Sequence, residues 1–162
     1  MHRILTACAI ALLSATAVLA ATPIKPIKQY YPVYGDTAEK LAASMTASSP
    51  IRRDKHHFYA LTHWEVQTRY QLTSDSHGCK LGHVDVKLGI KMQLPHWDPS
   101  QTTDAQLQQD WQTFYQALLQ HENQHADNGR RAAQDIATLL QNFPRHHQCE
   151  VYEQKLKAAI DS

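Results

Sequence analysis

From Phe58 to Leu72 the chain alternates. Phe58, Ala60, Thr62, Trp64, Val66, Thr68, Tyr70 and Leu72 fall on one side, and His63, Glu65, Gln67 and Arg69 on the other. A period of two is that of a strand with one buried face. The alternation returns from Cys79 to Leu94, with Val84, Val86, Leu88, Ile90, Met92 and Leu94 inward and His83, Asp85, Lys87 and Lys91 outward. With Thr73 to Gly78 as the turn, the middle of the chain predicts one long hairpin. A register placing Glu65 opposite Lys87 would keep the apolar faces together and hold Glu65 away from Asp85.

Pro95-His96-Trp97-Asp98-Pro99 breaks the second strand, and the period then changes to that of a helix. Leu107, Trp111, Phe114, Leu118, His121, His125, Ala132, Ile136 and Leu139 recur at threes and fours, which predicts a long helix capped by Thr102 or Thr103. That seam puts both histidines in the buried stripe. Upstream, Ile27 to Tyr34 reads as a strand confined to an edge by Pro32. Asp36 and Glu39 then form a capping box for a short helix with Ala38, Leu41, Ala42 and Met45 as its apolar side. Phe143-Pro144 turns the chain into an antiparallel C-terminal helix. The expected fold is α+β: a small antiparallel sheet built on the hairpin, packed against the long helix, with a short helix before it and another at the C-terminus.

The first residues follow neither period. Met1-His2-Arg3 is a short basic start, Ile4 to Leu19 is almost wholly apolar, and small residues surround Ala20. This predicts a signal peptide over 1–20, since about 16 apolar residues fall short of the roughly 20 of a spanning helix. Export to the periplasm or the medium follows, with no stable membrane insertion after cleavage. Residues 21–162 suffice for one domain. Cys8 leaves with the leader, and Cys79 and Cys149 remain as an even pair that an oxidising compartment would join. A net charge of +1 supplies no basic field, so nucleic acid is excluded as a partner.

The candidate chemistry lies in His121-Glu122-Asn123-Gln124-His125. Histidines at i and i+4 share a helix face and can reach one Zn²⁺, and Glu122, about 100° round the helix from His121, can take a proton from water beside the metal. The spacing also fits two core histidines hydrogen-bonded without metal. A catalytic zinc usually has three protein ligands, and this motif supplies two. Asp135, Glu150, His63 and His83 are the candidates for a third. Asp135 and Glu150 come into range only if Asn128-Gly129 stops the helix and lets the chain fold back. The metzincin extension is absent, because Asn128 and Arg131 stand where a glycine and a third histidine would be.

Tyr31-Pro32-Val33-Tyr34-Gly35, Thr62-His63-Trp64, Cys79-Lys80-Leu81, Leu94-Pro95-His96-Trp97 and the HExxH segment follow one another in this order. From about Tyr30 to about Cys149 the chain resembles the DUF922 family, bacterial secreted proteins regarded as zinc-dependent proteases because of that motif. The resemblance implies His121 and His125 as zinc ligands and Glu122 as general base, the roles reached above by spacing. The resulting expectation is an exported zinc metallopeptidase acting on a peptide or protein substrate. Its alternatives are a non-catalytic exported metal-binding or protein-interaction module, and a zinc hydrolase of non-peptide substrates.

Overall fold

A computed structural model describes residues 24–53 and 56–161. The leader read at 1–20 lies outside the described residues, as does Cys8. The elements in chain order are β1 (Ile27–Val33), α1 (Ala38–Ser48), β2 (Arg52–Arg53), β3 (His56–His57), β4 (Leu61–Asp75), β5 (Gly78–Trp97), α2 (Ala105–Gln141) and α3 (Cys149–Ile160). The expected α+β architecture is present.

The hairpin is longer and its turn tighter than the alternation predicts. β4 and β5 join across Ser76-His77, where the His77 amide donates to the Asp75 carboxylate at 2.9 Å and Gly78 takes a φ of +102°. Glu65 pairs with Gly89 and Lys87 with Gln67, so the expected Glu65–Lys87 register is two residues out. The tighter turn and one bulge account for the difference. Tyr70 faces Val84 whereas Leu72 faces Leu81, so β5 carries an extra residue there. The bulge changes the inward parity of β5 and lets Cys79 and Leu81 join Val84 and Val86 in one cluster. A shift of two preserves the faces, and it sets Arg69 opposite Asp85, a pairing of opposite charges.

The sheet is mixed rather than antiparallel. Its order is β1-β5-β4, and β1 runs parallel to β5 from Ile27↔Lys91 to Val33↔Trp97. Parallel pairing carries the end of β1 to the Trp97 end of β5. Tyr31 and Val33 there meet Leu41 and Met45 of α1, together with Trp97 and Leu107. Thr37, not Asp36, caps α1 by accepting from the Lys40 amide, while Asp36 pairs with the Lys40 ammonium at 2.7 Å.

Asp104, not Thr102 or Thr103, caps α2, because a 3-10 turn at Pro99–Gln101 takes up the preceding residues. Its carboxylate accepts from the Gln106 and Leu107 amides at 2.9 and 3.1 Å. The helix then runs 37 residues without a break, roughly 55 Å. Gly129 therefore does not end it. A Cβ on Gly129 would lie 2.7 Å from Cγ of Trp64, so the glycine lets α2 lie against the Trp64 ring of β4. This contact changes the seam. Its buried line runs through Leu107, Glu122, Ala126, Gly129 and Leu140, and His121 and His125 are exposed rather than buried.

At the far end, Tyr152 and Leu156 of α3 pack on Leu140 and Cys79, and the Leu81 amide donates to the Tyr152 hydroxyl at 3.1 Å. Cys79 and Cys149 form a disulfide across a sequence separation of 70, with Cα atoms 5.3 Å apart.

Two outcomes test this packing. Gly129→Ala should lower the urea unfolding free energy by about 1–3 kcal/mol through overpacking against Trp64, despite a helix-propensity gain of about 1 kcal/mol; an unchanged or raised midpoint would contradict the close contact. Replacing both Cys79 and Cys149 by Ser should cost roughly 2–4 kcal/mol in the same assay, as expected for a closed loop of this length.

Candidate metal centre

α2 presents the HENQH segment near its middle, where successive residues point in different directions. Glu122 is only 4% exposed and faces the sheet. His121 and His125, about 100° and 60° round the helix from it, are exposed to solvent. Their rings approach each other edge to face, with centroids 4.7 Å apart and planes at 86°. The two Nε2 atoms are 3.1 Å apart. Two neutral imidazoles at that distance need one proton between them, one ring donating and the other accepting. A shared metal meets the same geometry, since nitrogens about 2.0–2.1 Å from a tetrahedral zinc lie about 3.3 Å apart. Two borderline nitrogen donors converging on one point suit zinc.

A carboxylate as buried as Glu122 needs partners. Thr62 of β4 supplies one: its hydroxyl donates to Glu122 Oε2 at 2.6 Å, and the Glu122 carbonyl oxygen is 3.1 Å from the same hydroxyl. Thr62 stands on the helix-facing side of β4, between Ala60 and Trp64 in the alternation. The strand thus orients Glu122 through Oε2 and leaves Oε1 as the oxygen free to accept a proton.

The candidates for a third ligand do not come together with this pair. His63 pairs with Lys91 across the hairpin and is exposed, and His83 is exposed at the bulge. Asp135 is exposed ten residues beyond His125 on the unbroken helix, about 15 Å further along its axis. Glu150 lies in the first turn of α3. Among the described residues, no three His, Cys, Asp or Glu side chains cluster as a metal site. His121 and His125 converge, Glu122 lies beside them, and the remaining positions stay apart.

Thr62 and Trp64 are the residues that sequence reasoning passed over. A threonine among apolar residues on the inward face of a strand calls for a buried polar partner, and Glu122 is that partner. The glycine within a long helix was the corresponding signal for Trp64.

Two cavities lie against the N-terminal part of α2. One, of about 440 Å³, is lined by Tyr30, Pro95, His96, Trp97, Trp111 and Tyr115, and another of about 400 Å³ shares Trp97, Trp111 and Tyr115 with it. Burial, and then the hydrogen bond with Tyr30, pushes the Tyr115 hydroxyl up to about 12, so it stays protonated near neutrality. Neither cavity includes a residue of the HENQH segment.

No helix among the described residues is long and apolar enough to cross a membrane. No curated protein and no solved structure matches the chain. One family profile matches, described as a bacterial protein of unknown function, over residues 28–162, which takes in α1, the hairpin, α2 with His121 to His125, and α3. The chain belongs to this family, DUF922.

Proposed function

We propose that the protein is an exported zinc-dependent metallopeptidase, with His121 and His125 as zinc ligands and Glu122 as general base. The observation that carries this reading is the convergence of the two Nε2 atoms, 3.1 Å apart, beside a carboxylate held by Thr62. Export is supported by the basic and apolar start of the sequence and by the Cys79–Cys149 disulfide, which suits the periplasm or the medium.

Zinc, when bound, supplies an acidified water and polarises a carbonyl oxygen. The protein does the rest. His121 and His125 would hold the ion through their Nε2 atoms, and Glu122, with Oε1 left free by Thr62, would be the base that accepts a proton and passes it to the leaving amine. The Thr62 hydroxyl keeps the carboxylate from rotating while the proton moves. Glu122 is only 4% exposed, so its carboxylate is shielded from solvent, which strengthens the interactions made there.

A second reading is favoured by the absence of a three-residue ligand cluster among the described residues. In it the histidine pair is a non-catalytic metal or partner contact of an exported binding module. The two readings differ in what Glu122 does. For the peptidase, Glu122→Gln should cut peptide hydrolysis by about 10²–10⁴-fold with zinc content unchanged, and His121→Ala or His125→Ala should remove zinc and activity together. Zinc retained with hydrolysis equal to that of the unaltered protein would leave the binding module standing. Loss confined to ester or non-peptide amide substrates would point to a zinc hydrolase of another class.

The hydroxyl makes a separate prediction. Thr62→Val should lower kcat by roughly tenfold or more through misplacement of Glu122, and Thr62→Ser should restore it. Equal rates in all three proteins would show that the hydroxyl only satisfies a buried carboxylate.

A further inference from the structure

We propose that the two cavities against the N-terminal part of α2 form one cleft that binds a neutral oligosaccharide, a binding function separate from any chemistry at His121 to His125.

The cavities, of about 440 and 400 Å³, share Trp97, Trp111 and Tyr115, so they are two lobes of one cleft. Each has the volume of a small-molecule site, about 300–1,000 Å³. A ligand that fills both is a chain of rings rather than a single one.

The aromatic rings are set before a ligand arrives. Trp97 is 2% exposed, and its indole N–H donates to the Gly35 carbonyl at 2.9 Å. Trp111 packs against it with ring centroids 5.6 Å apart and planes at 62°. Tyr115, one helical turn further along α2, lies 6.5 Å from Trp111 and within 23° of parallel to it. Its hydroxyl is bonded to that of Tyr30 on β1, whose side chain is 54% exposed. Rings held in this way lose little freedom when a ligand docks on them. The C–H face of a pyranose is apolar and suits such a surface, and its rim of hydroxyls meets the polar tips of the tyrosines.

Charge narrows the ligand. Neither lobe is lined by Asp, Glu, Lys or Arg. An ionic ligand would give up its hydration there without a fixed counter-charge, which selects against nucleotides, sulfated glycans and charged peptides.

Hydrogen-bond polarity narrows it further. The second lobe is lined by Gln108, Gln109 and Gln112. Gln108 donates through Nε2 to the carbonyl oxygens of Pro99 and Thr102, at 3.0 Å each. Both partners only accept, so the orientation of the amide is fixed and Gln108 keeps only Oε1, an acceptor, for a ligand. A ligand in this lobe must therefore bring donors. That separates a saccharide from a proline-rich segment, the other usual occupant of an aromatic cleft. A polyproline helix presents carbonyl oxygens and its prolines have no N–H, whereas each sugar hydroxyl both donates and accepts. Gln109 and Gln112, both exposed, add amides of the same neutral kind.

The test is titration calorimetry of the protein recovered after export with cellotetraose, tetra-N-acetylchitotetraose and decaproline, paired with NMR of the tryptophan indole N–H groups. At least one of the two sugars should bind and shift the Trp111 resonance while leaving that of Trp64 in place. Tyr30→Ala, at an exposed position, should weaken that binding by about tenfold, and Gln112→Ala, also exposed, by about threefold. Gln112→Ala should keep the unfolding midpoint of the unaltered protein, so that its loss of affinity reads on the cleft alone. Failure of both sugars to bind, a shift at Trp64 instead of Trp111, or an affinity that neither substitution alters overturns the proposal. Binding of decaproline without either sugar would assign the cleft to proline-rich segments and overturn it as well.

Discussion

The close approach of α2 to β4 sets the rest of the arrangement. Gly129 lets the helix come within contact of Trp64, and about two turns earlier Glu122 meets Thr62. A larger residue at 129 would hold the helix off the strand and lengthen the 2.6 Å hydrogen bond that orients the carboxylate. The rotation of the helix is fixed by this contact as well. With Glu122, Ala126 and Gly129 turned to the sheet, His121 and His125 are carried to the solvent side of β4. The histidine pair is then exposed to solvent while Glu122 beside it is buried against the sheet.

Much of this was legible in the residues and some was not. The hairpin, the long helix and α1 follow from periodicity, because the apolar residues of each element must share a face, whereas α3 follows from the turn at Phe143-Pro144. The hairpin register was not legible, since it depends on where a two-residue turn closes and on a bulge opposite Gln71, and either changes the pairing without changing the pattern. The parallel pairing of β1 with β5 depends on where α1 finds its core, at Leu41 and Met45 against Tyr31, Val33 and Trp97, which no local signal encodes.

The candidate site divides in the same way. Spacing alone puts His121 and His125 together, and their nitrogens do converge. Which of HENQH faces inward was misjudged because Leu118 can be followed at helical spacing either by His121 and His125 or by Glu122 and Ala126. Apolarity favours neither path: a histidine and a glutamate are both polar. Trp64 decides, by taking the space above Gly129 and turning the helix so that the glutamate, which has Thr62 as partner, goes in. The histidines, which have each other, stay out.

The central claim is that His121 and His125 share one metal ion beside Glu122. Zinc K-edge X-ray absorption on the protein recovered after export tests it most directly. The account predicts one zinc per chain with the scattering of two imidazoles at about 2.0–2.1 Å plus further oxygen or nitrogen neighbours, lost on His121→Ala. Protein that binds no zinc, or zinc whose shell is unchanged by His121→Ala, would contradict it.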